Sequence, residues 1–271
     1  KMDYNKMLEF HKEKNAAATI AVLDVPKEEA SRFGIMITDA EDNIIDFEEK
    51  PANPRSTLAS MGIYIFDWKK LKKYLIANEE DENASKDFGK NIIPDMREAG
   101  EKLVAYRFDG YWKDVGTIES LWEANMDLLS PDSGLNLDDG SWRIYGRTTG
   151  APPHFTGRDA VVHHSLISEG CELEGNVNNS VLFPNVTVEK GAKIEYSIIM
   201  PGATIEKGAQ VKYAIIAENA HICADAVVGN APSEVAADEW GVAVVASNTV
   251  VGKKAVVAAK QMIADNIPDV E

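Results

Sequence analysis

Positive charge is in short supply in this chain. Its 271 residues carry 28 Lys and Arg against 44 Asp and Glu, a formal net charge of -16. A nucleic-acid partner needs a basic face opposite its phosphate backbone, so that class is excluded. Small phosphorylated substrates need only a few local cations and stay open. Cysteine is equally sparse. Cys171 and Cys223 stand alone, without metal-type spacing, and a reduced cytoplasmic setting is the expectation. No apolar run approaches the length of a membrane span and no signal peptide opens the chain, so no membrane partner is expected. A glycine-rich phosphate loop is missing anywhere in residues 1–271. What is present is globular: 45% hydrophobic and 27% charged, long enough for two domains with cores of their own.

Two patterns divide the chain. Residues 1–129 alternate strand and helix signals, the pattern of an α/β domain whose first strands are absent. Asp3 reads as the N-cap of a helix with Tyr4, Met7, Leu8 and His11 on one face. AAATIAVLDV (16–25) reads as a buried strand, 34–51 as two strands around a turn at 39–43, and 59–67 as another. Helices are predicted over 67–79, with Leu71, Tyr74 and Leu75 on one side, and over 87–100, ended by Gly100. Residues 130–155 are richer in Ser, Asp, Gly and Pro and read as a linker, with WRIYG (142–146) as a short strand. The expected division is 1–130, 131–155 and 156–271.

From Ser165 an internal repeat takes over. SLISEGCEL (165–173), SVLFPNVTV (180–188), SIIMPGATI (197–205) and AIIAENAHI (214–222) start 15, 17 and 17 residues apart. Aliphatics recur at Leu182, Val188, Ile194, Ile199, Ile205, Val211, Ile216 and Ile222, in steps of 5 or 6. Neither a helix nor a flat strand has that period. Three short sides per turn do, each aiming one aliphatic at a common axis, with Gly191 and Gly208 at corners. This is the spacing of a hexapeptide-repeat parallel β-helix, interrupted at about 229–241 and resuming around 250–257. Cys171 and Cys223 would stand about three coils apart, roughly 14 Å at ~4.8 Å per strand. A disulfide needs Cα atoms within about 7 Å, so both should be free thiols.

The most informative run is GYWKDVGTIESLWEANMDLL (110–129). A strand-like segment (102–108) precedes it, and apolar residues at 118, 121, 122, 124, 128 and 129 mark a helix that Thr117 can cap. Asp114 therefore lies in a strand-to-helix connection, where a carboxylate suits a divalent cation holding phosphates. The plainer alternative is a turn aspartate that caps the helix. This run, with SRFGIM (31–36), FEEKP (47–51), SMGIYIF (60–66) and DFGKNIIP (87–94) in the same order, resembles the glucose-1-phosphate adenylyltransferases.

That resemblance implies part of a Rossmann-like nucleotidyltransferase domain followed by a β-helix that is left-handed. It implies adenylyl transfer from ATP to glucose 1-phosphate, giving ADP-glucose and pyrophosphate for glycogen biosynthesis. Asp114 would be a catalytic metal ligand for Mg²⁺, its partner carboxylate lying just upstream of Lys1. The chain is then expected to be a C-terminal fragment lacking the nucleotide loop, and inactive alone. Glu49 would accept hydrogen bonds from glucose hydroxyls and Lys50 would contact the sugar phosphate. Gly34, Ser60 and Gly62 would line the glucose pocket, Asp87 and Phe88 would shape it, and Tyr111 and Trp112 would serve as wall and core. Lys113 stands where the family often has arginine. Glu48 is expected in an ordinary surface ion pair. A homotetramer, or a hetero-oligomer with a paralogous subunit, is implied, with sugar-phosphate or nucleotide effectors. Two other classes remain: a non-catalytic regulatory subunit, and a hexapeptide acyltransferase using His163, His164 or His221 as base.

Overall fold

The computed structural model describes residues 1–146 and 149–271. These form two compact units, 1–112 and 113–271.

The first unit is a five-stranded mixed sheet flanked by helices. Helix α1 (Tyr4–Glu13) starts where Asp3 accepts a hydrogen bond from the Asn5 amide at 3.0 Å, and it buries Met7 and His11. Strand β1 (Ala18–Asp24) follows, then β2 (Gly34–Thr38), β3 (Ile44–Glu49) and β4 (Leu58–Phe66). Asp39 organises the β2–β3 turn by accepting from the Glu41 and Asn43 amides. Helix α2 (Trp68–Glu80) is capped by Asp67, and its Tyr74, Leu71 and Leu75 pack on the sheet. The segment predicted as one helix over 87–100 is instead a π-helical turn (Phe88–Ile92) leading into α3 (Ile93–Glu98). The wider turn fits the sequence. Asp87 caps Lys90 from its own side chain, and Ile92, Ile93 and Met96 then all reach the core. Strand β5 (Leu103–Arg107) completes the sheet, in the order β3-β2-β4-β1-β5. Strand β1 pairs parallel with β5 and antiparallel with β4, so it is central. Its near-continuous apolar run, buried from Ala18 to Val22, is what such a position requires.

The second unit begins with α4 (Ile118–Met126). Thr117 accepts from the Ser120 amide and Ser120 reciprocates to the Thr117 amide, a complete capping box. The segment WRIYG (142–146), expected to form a short strand, does not. Among the described residues no strand pairs with it, and Ile144 and Tyr145 are 60% and 88% exposed. The linker reading over 130–155 also spans Arg147 and Thr148, which lie outside the described residues.

From Phe155 onward short parallel strands stack in three six-stranded sheets, the three sides of a left-handed parallel β-helix. All eight aliphatics of the predicted ladder, Leu182 through Ile222, are fully buried along its axis. Strand partners are 15 (Leu166 with Val181) or 17 residues apart (Ile198 with Ile215) until the loop beginning at Gly229, where the step becomes 29 (Ile215 with Val244). A dozen residues are thus extruded without breaking the stack. Cys171 is buried inside it and both cysteines are free.

Most corners carry one residue in a left-handed conformation. Gly170, Asn185, Gly202, Asn219 and Asn248 stack in one such column, with φ between 55° and 74°. Glycine and asparagine alternate through its first four positions for a steric reason. A methyl group at Gly170 would stand 2.1 Å from the Asn185 Oδ1, and one at Gly202 2.5 Å from that of Asn219. Asn185 and Asn219 each lie over the glycine of the coil before, whereas Asn248 lies over Asn219.

Two corner glycines separate backbone strain from collision. Gly191 (φ 80°) has nothing nearer to a new methyl than 3.8 Å, whereas at Gly229 (φ 76°) the Lys212 carbonyl oxygen would be 2.0 Å away. Gly191→Ala should cost about 1–2 kcal/mol, the left-handed penalty alone. Gly229→Ala should cost more than about 3 kcal/mol, because backbone must move as well. Urea midpoints of the two variants, read against wild type, check this order.

Candidate active site

The N-terminal sheet brings together most of the residues singled out in its sequence. Strands β2 and β3 are antiparallel neighbours, and Gly34 pairs directly with Glu49. The pairing leaves no room for a side chain at residue 34. A methyl there would meet the Phe47 ring at 2.8 Å and the Glu49 Oε2 at 3.0 Å. Gly89, on the π-helical turn, faces the same carboxylate, with Glu49 Oε2 2.9 Å and Asp87 Oδ1 3.3 Å from the place a methyl would occupy. Glu49 therefore lies over two glycines from different elements, beside Asp87.

Strand β4 supplies the next residues. The Ser60 hydroxyl accepts from the Gly62 amide at 3.2 Å, and Gly62 itself is exposed with φ 70° and open space above it. Tyr64 points to the same locality. Burial pushes its phenol above the usual range, the charges of Glu49 and Asp87 push it further, and a hydrogen bond with Ser60 offsets part of the rise. An aromatic wall backs these groups: Tyr64 stacks on Phe88 at 5.7 Å, and Phe66 lies 5.6 Å from Phe88. Tyr64, Asp87 and Gly89 thus join a constellation in which sequence reasoning gave Asp87 a shaping role and overlooked the other two. The signal for Tyr64 was its spacing. Ser60, Gly62 and Tyr64 alternate along one strand and share a face.

Lys50 follows Glu49 with φ 46°, a left-handed conformation uncommon for lysine. Its amide donates to the Phe33 carbonyl at 3.1 Å, and Pro51 then ends any ladder. The amine is left at the surface. Glu48 behaves as expected of a surface acid: it pairs with Arg55, whose hydrogen bonds hold its carboxyl below the ordinary range. Trp112 packs with Met7, Ala21 and Met61 and sits edge-on to Phe33 at 5.9 Å, a core role.

The second unit holds Asp114. It is exposed, and a methyl at Gly116 would be 3.4 Å from its Oδ2. Its carboxylate makes no hydrogen bond or ion pair among the described residues, and the capping alternative is removed because Thr117 and Ser120 cap α4 between themselves. Lys113 is engaged in its own unit, with Glu123 at 3.0 Å and Asp127 at 3.2 Å. Burial lowers its pKa, but the bonds to Glu123 and Asp127 outweigh that and leave it raised. The β-helix histidines are each held by a neighbour: His163 by Asn178, His164 by Asn179, His221 by Glu206.

Comparison with known proteins gives two matched regions. Residues 1–131 match the nucleotidyl transferase family, and residues 152–251 match the GlmU-like C-terminal hexapeptide family. The chain is similar to a glucose-1-phosphate adenylyltransferase of Clostridium perfringens (strain 13 / Type A), 60% identical over 195 residues, covering 72% of this chain and 50% of that protein. The protein of the same name from Clostridium novyi (strain NT) is 58% identical over 188 residues, covering 69% of this chain and 49% of its own length. The chain spans about half the length of the curated relatives it matches. No helix among the described residues is long and apolar enough to cross a membrane.

The geometry around Tyr64 is open to direct measurement. Its phenol should titrate above the ordinary value near 10, and Asp87→Asn should bring it part of the way down. NMR of tyrosine-labelled protein across alkaline pH reads both values; an unchanged Tyr64 titration in the variant would separate the two residues.

Proposed function

We propose that this chain, which belongs to the nucleotidyl transferases through residues 1–131 and to the hexapeptide proteins through residues 152–251, is part of a glucose-1-phosphate adenylyltransferase. The observation that carries the sugar-phosphate half of this reading is the Glu49 carboxylate lying over Gly34 and Gly89, with the surface amine of Lys50 next in sequence. The two glycines make room for the exposed Glu49 carboxylate itself, and at Gly62, where nothing stands within 4 Å, a pyranose could approach the main chain. Glu49, Asp87, Ser60 and Tyr64 offer acceptors and donors, and Phe66 and Phe88 offer an apolar face. That combination of polar edge and aromatic wall is the chemistry a sugar ring requires. Lys50 supplies a point charge for the phosphate monoester.

The reaction is an in-line displacement. An oxygen of the glucose 1-phosphate attacks the α-phosphorus of ATP, one P–O bond forms, the bond to the β-phosphate breaks, and pyrophosphate leaves. Positioning two polyanions is the main difficulty, and fixed cationic and hydrogen-bonding groups meet it. Asp114 offers a hard oxygen ligand that is exposed and engaged by no other described residue, which fits a divalent cation such as Mg²⁺. When bound, that ion neutralises charge on the bridging and leaving oxygens. The protein is expected to assemble as an oligomer, with anionic effectors acting on the assembled form.

Two substitutions in the product of the complete reading frame that encodes this chain test the assignment. Asp114→Asn should lower turnover by roughly 10²–10³-fold with the fold intact. Lys50→Ala should chiefly raise the KM for glucose 1-phosphate and leave kcat nearly unchanged. Steady-state assays of ADP-glucose formation decide. Wild-type turnover in the Asp114 variant, or an unaltered sugar-phosphate KM in the Lys50 variant, removes the role concerned.

A further inference from the structure

Three side chains of the β-helix meet on neighbouring coils. His221 and Cys223 flank the inward-facing Ile222 on one short strand edge, so both face outward. Glu206 lies one coil earlier, where Thr204 pairs with His221 and Ile205 with Ile222. That register places residue 206 directly below residue 223. The His221 Nε2 is 2.7 Å from the Glu206 Oε1, and the Glu206 Oε2 accepts from the Ala224 amide at 2.7 Å. One ligand atom from each of Glu206, His221 and Cys223 lies within 4.8 Å of the other two.

We propose that Glu206, His221 and Cys223 form a binding site for a borderline-soft divalent cation, with zinc the ion their donor set matches best. One nitrogen, one sulfur and one oxygen ligand leave the fourth tetrahedral position to water, as in an open three-ligand zinc site. The size is right. Zinc bonds of about 2.0–2.3 Å put tetrahedral ligand atoms about 3.3–3.7 Å apart. The His221–Glu206 contact must therefore open by less than an ångström while the thiol closes in. Side chains that are only partly buried (His221 41% and Glu206 24% exposed) can make that adjustment, and the exposure also gives the ion a path. The Glu206–His221 pair alone explains two of the three residues. It does not explain the thiol, whose sulfur lies within 4.8 Å of both partner ligand atoms. A cation held by all three would bind that sulfur as thiolate, its proton released to solvent. Bound there, it would clip the 204–206 segment to the 221–223 segment and tie successive coils together.

The test uses the full chain and zinc alone. Wild type should take up one equivalent of Zn²⁺ in a titration against a chromogenic chelator. Cys223→Ser and His221→Gln should each weaken uptake at least the 10–100-fold that even outer-shell changes cost. Far-UV circular dichroism of both metal-free variants should match wild type. Co²⁺ in place of zinc should give wild type a near-UV thiolate-to-metal charge-transfer band, absent in Cys223→Ser. No saturable uptake by wild type, uptake that either variant retains, or a cobalt spectrum without the sulfur band overturns the site.

Discussion

The arrangement of the N-terminal residues depends on one close approach: a carboxylate resting where two Cβ atoms would otherwise stand. Glu49 reaches Gly34 across a β-ladder and Gly89 on a helical turn forty residues further along the chain. Neither glycine is needed for a left-handed conformation, since neither has a positive φ. Both are needed for space. The π-helical turn at 88–92 matters for the same reason. An extra residue in that turn lets Asp87 cap it while Phe88 swings back to stack on Tyr64. Wider turns of this kind occur mostly where a site requires them.

The β-helix obeys a different constraint, and α4 makes sense only in its light. Each of the repeats SIIM and AII has two adjacent isoleucines, and a strand can turn only one of them inward. Ile199 and Ile216 fill the axis. Ile198 and Ile215 are just as buried, yet they point outward. Ile118, Leu121, Trp122 and Met126 of α4 cover them, and the Trp122 indole donates to the Tyr196 carbonyl at 2.7 Å. Partial burial of these side chains, each contributing less than the ~1.5–3 kcal/mol of full burial, fixes the helix on the flank of the coil stack.

The ladder of inward aliphatics was plain in the sequence because its period of five to six belongs to no other regular structure. Leu182 to Ile222 could be placed on the axis from spacing alone. The strands of the first unit were similarly legible, since β1 reads as a continuous apolar run and a capping aspartate precedes both α1 and α2. The π-helical turn was not, because its apolar positions satisfy a helical period as well. The outward isoleucines were hidden too, since the periodicity of one segment cannot reveal which other segment covers it. At the site, Glu49, Lys50, Gly34, Ser60 and Gly62 came from motif resemblance, and the ladder pairing then accounted for Gly34 in steric terms. Tyr64 shares its strand face with Ser60 and Gly62 by spacing alone. Gly89 needed three dimensions, since it is brought to Glu49 from elsewhere in the chain and no spacing encodes that.

The run from Gly110 to Leu129 can be sorted residue by residue into packing, capping and what neither explains. Trp112 belongs to a core, and Lys113 is held by Glu123 and Asp127. Thr117 and Ser120 close the capping box, and Ile118, Leu121, Trp122 and Met126 bury their side chains. Each of these would be kept in a protein that only had to fold. Asp114 is different. It is charged, exposed, outside the cap and engaged by no described neighbour, so folding gives no reason for it. A carboxylate at the entrance to a helix is tolerated there by the helix dipole, and with no described partner its oxygens stay open to solvent. In the proposed reaction that openness is what makes Asp114 available to a cation.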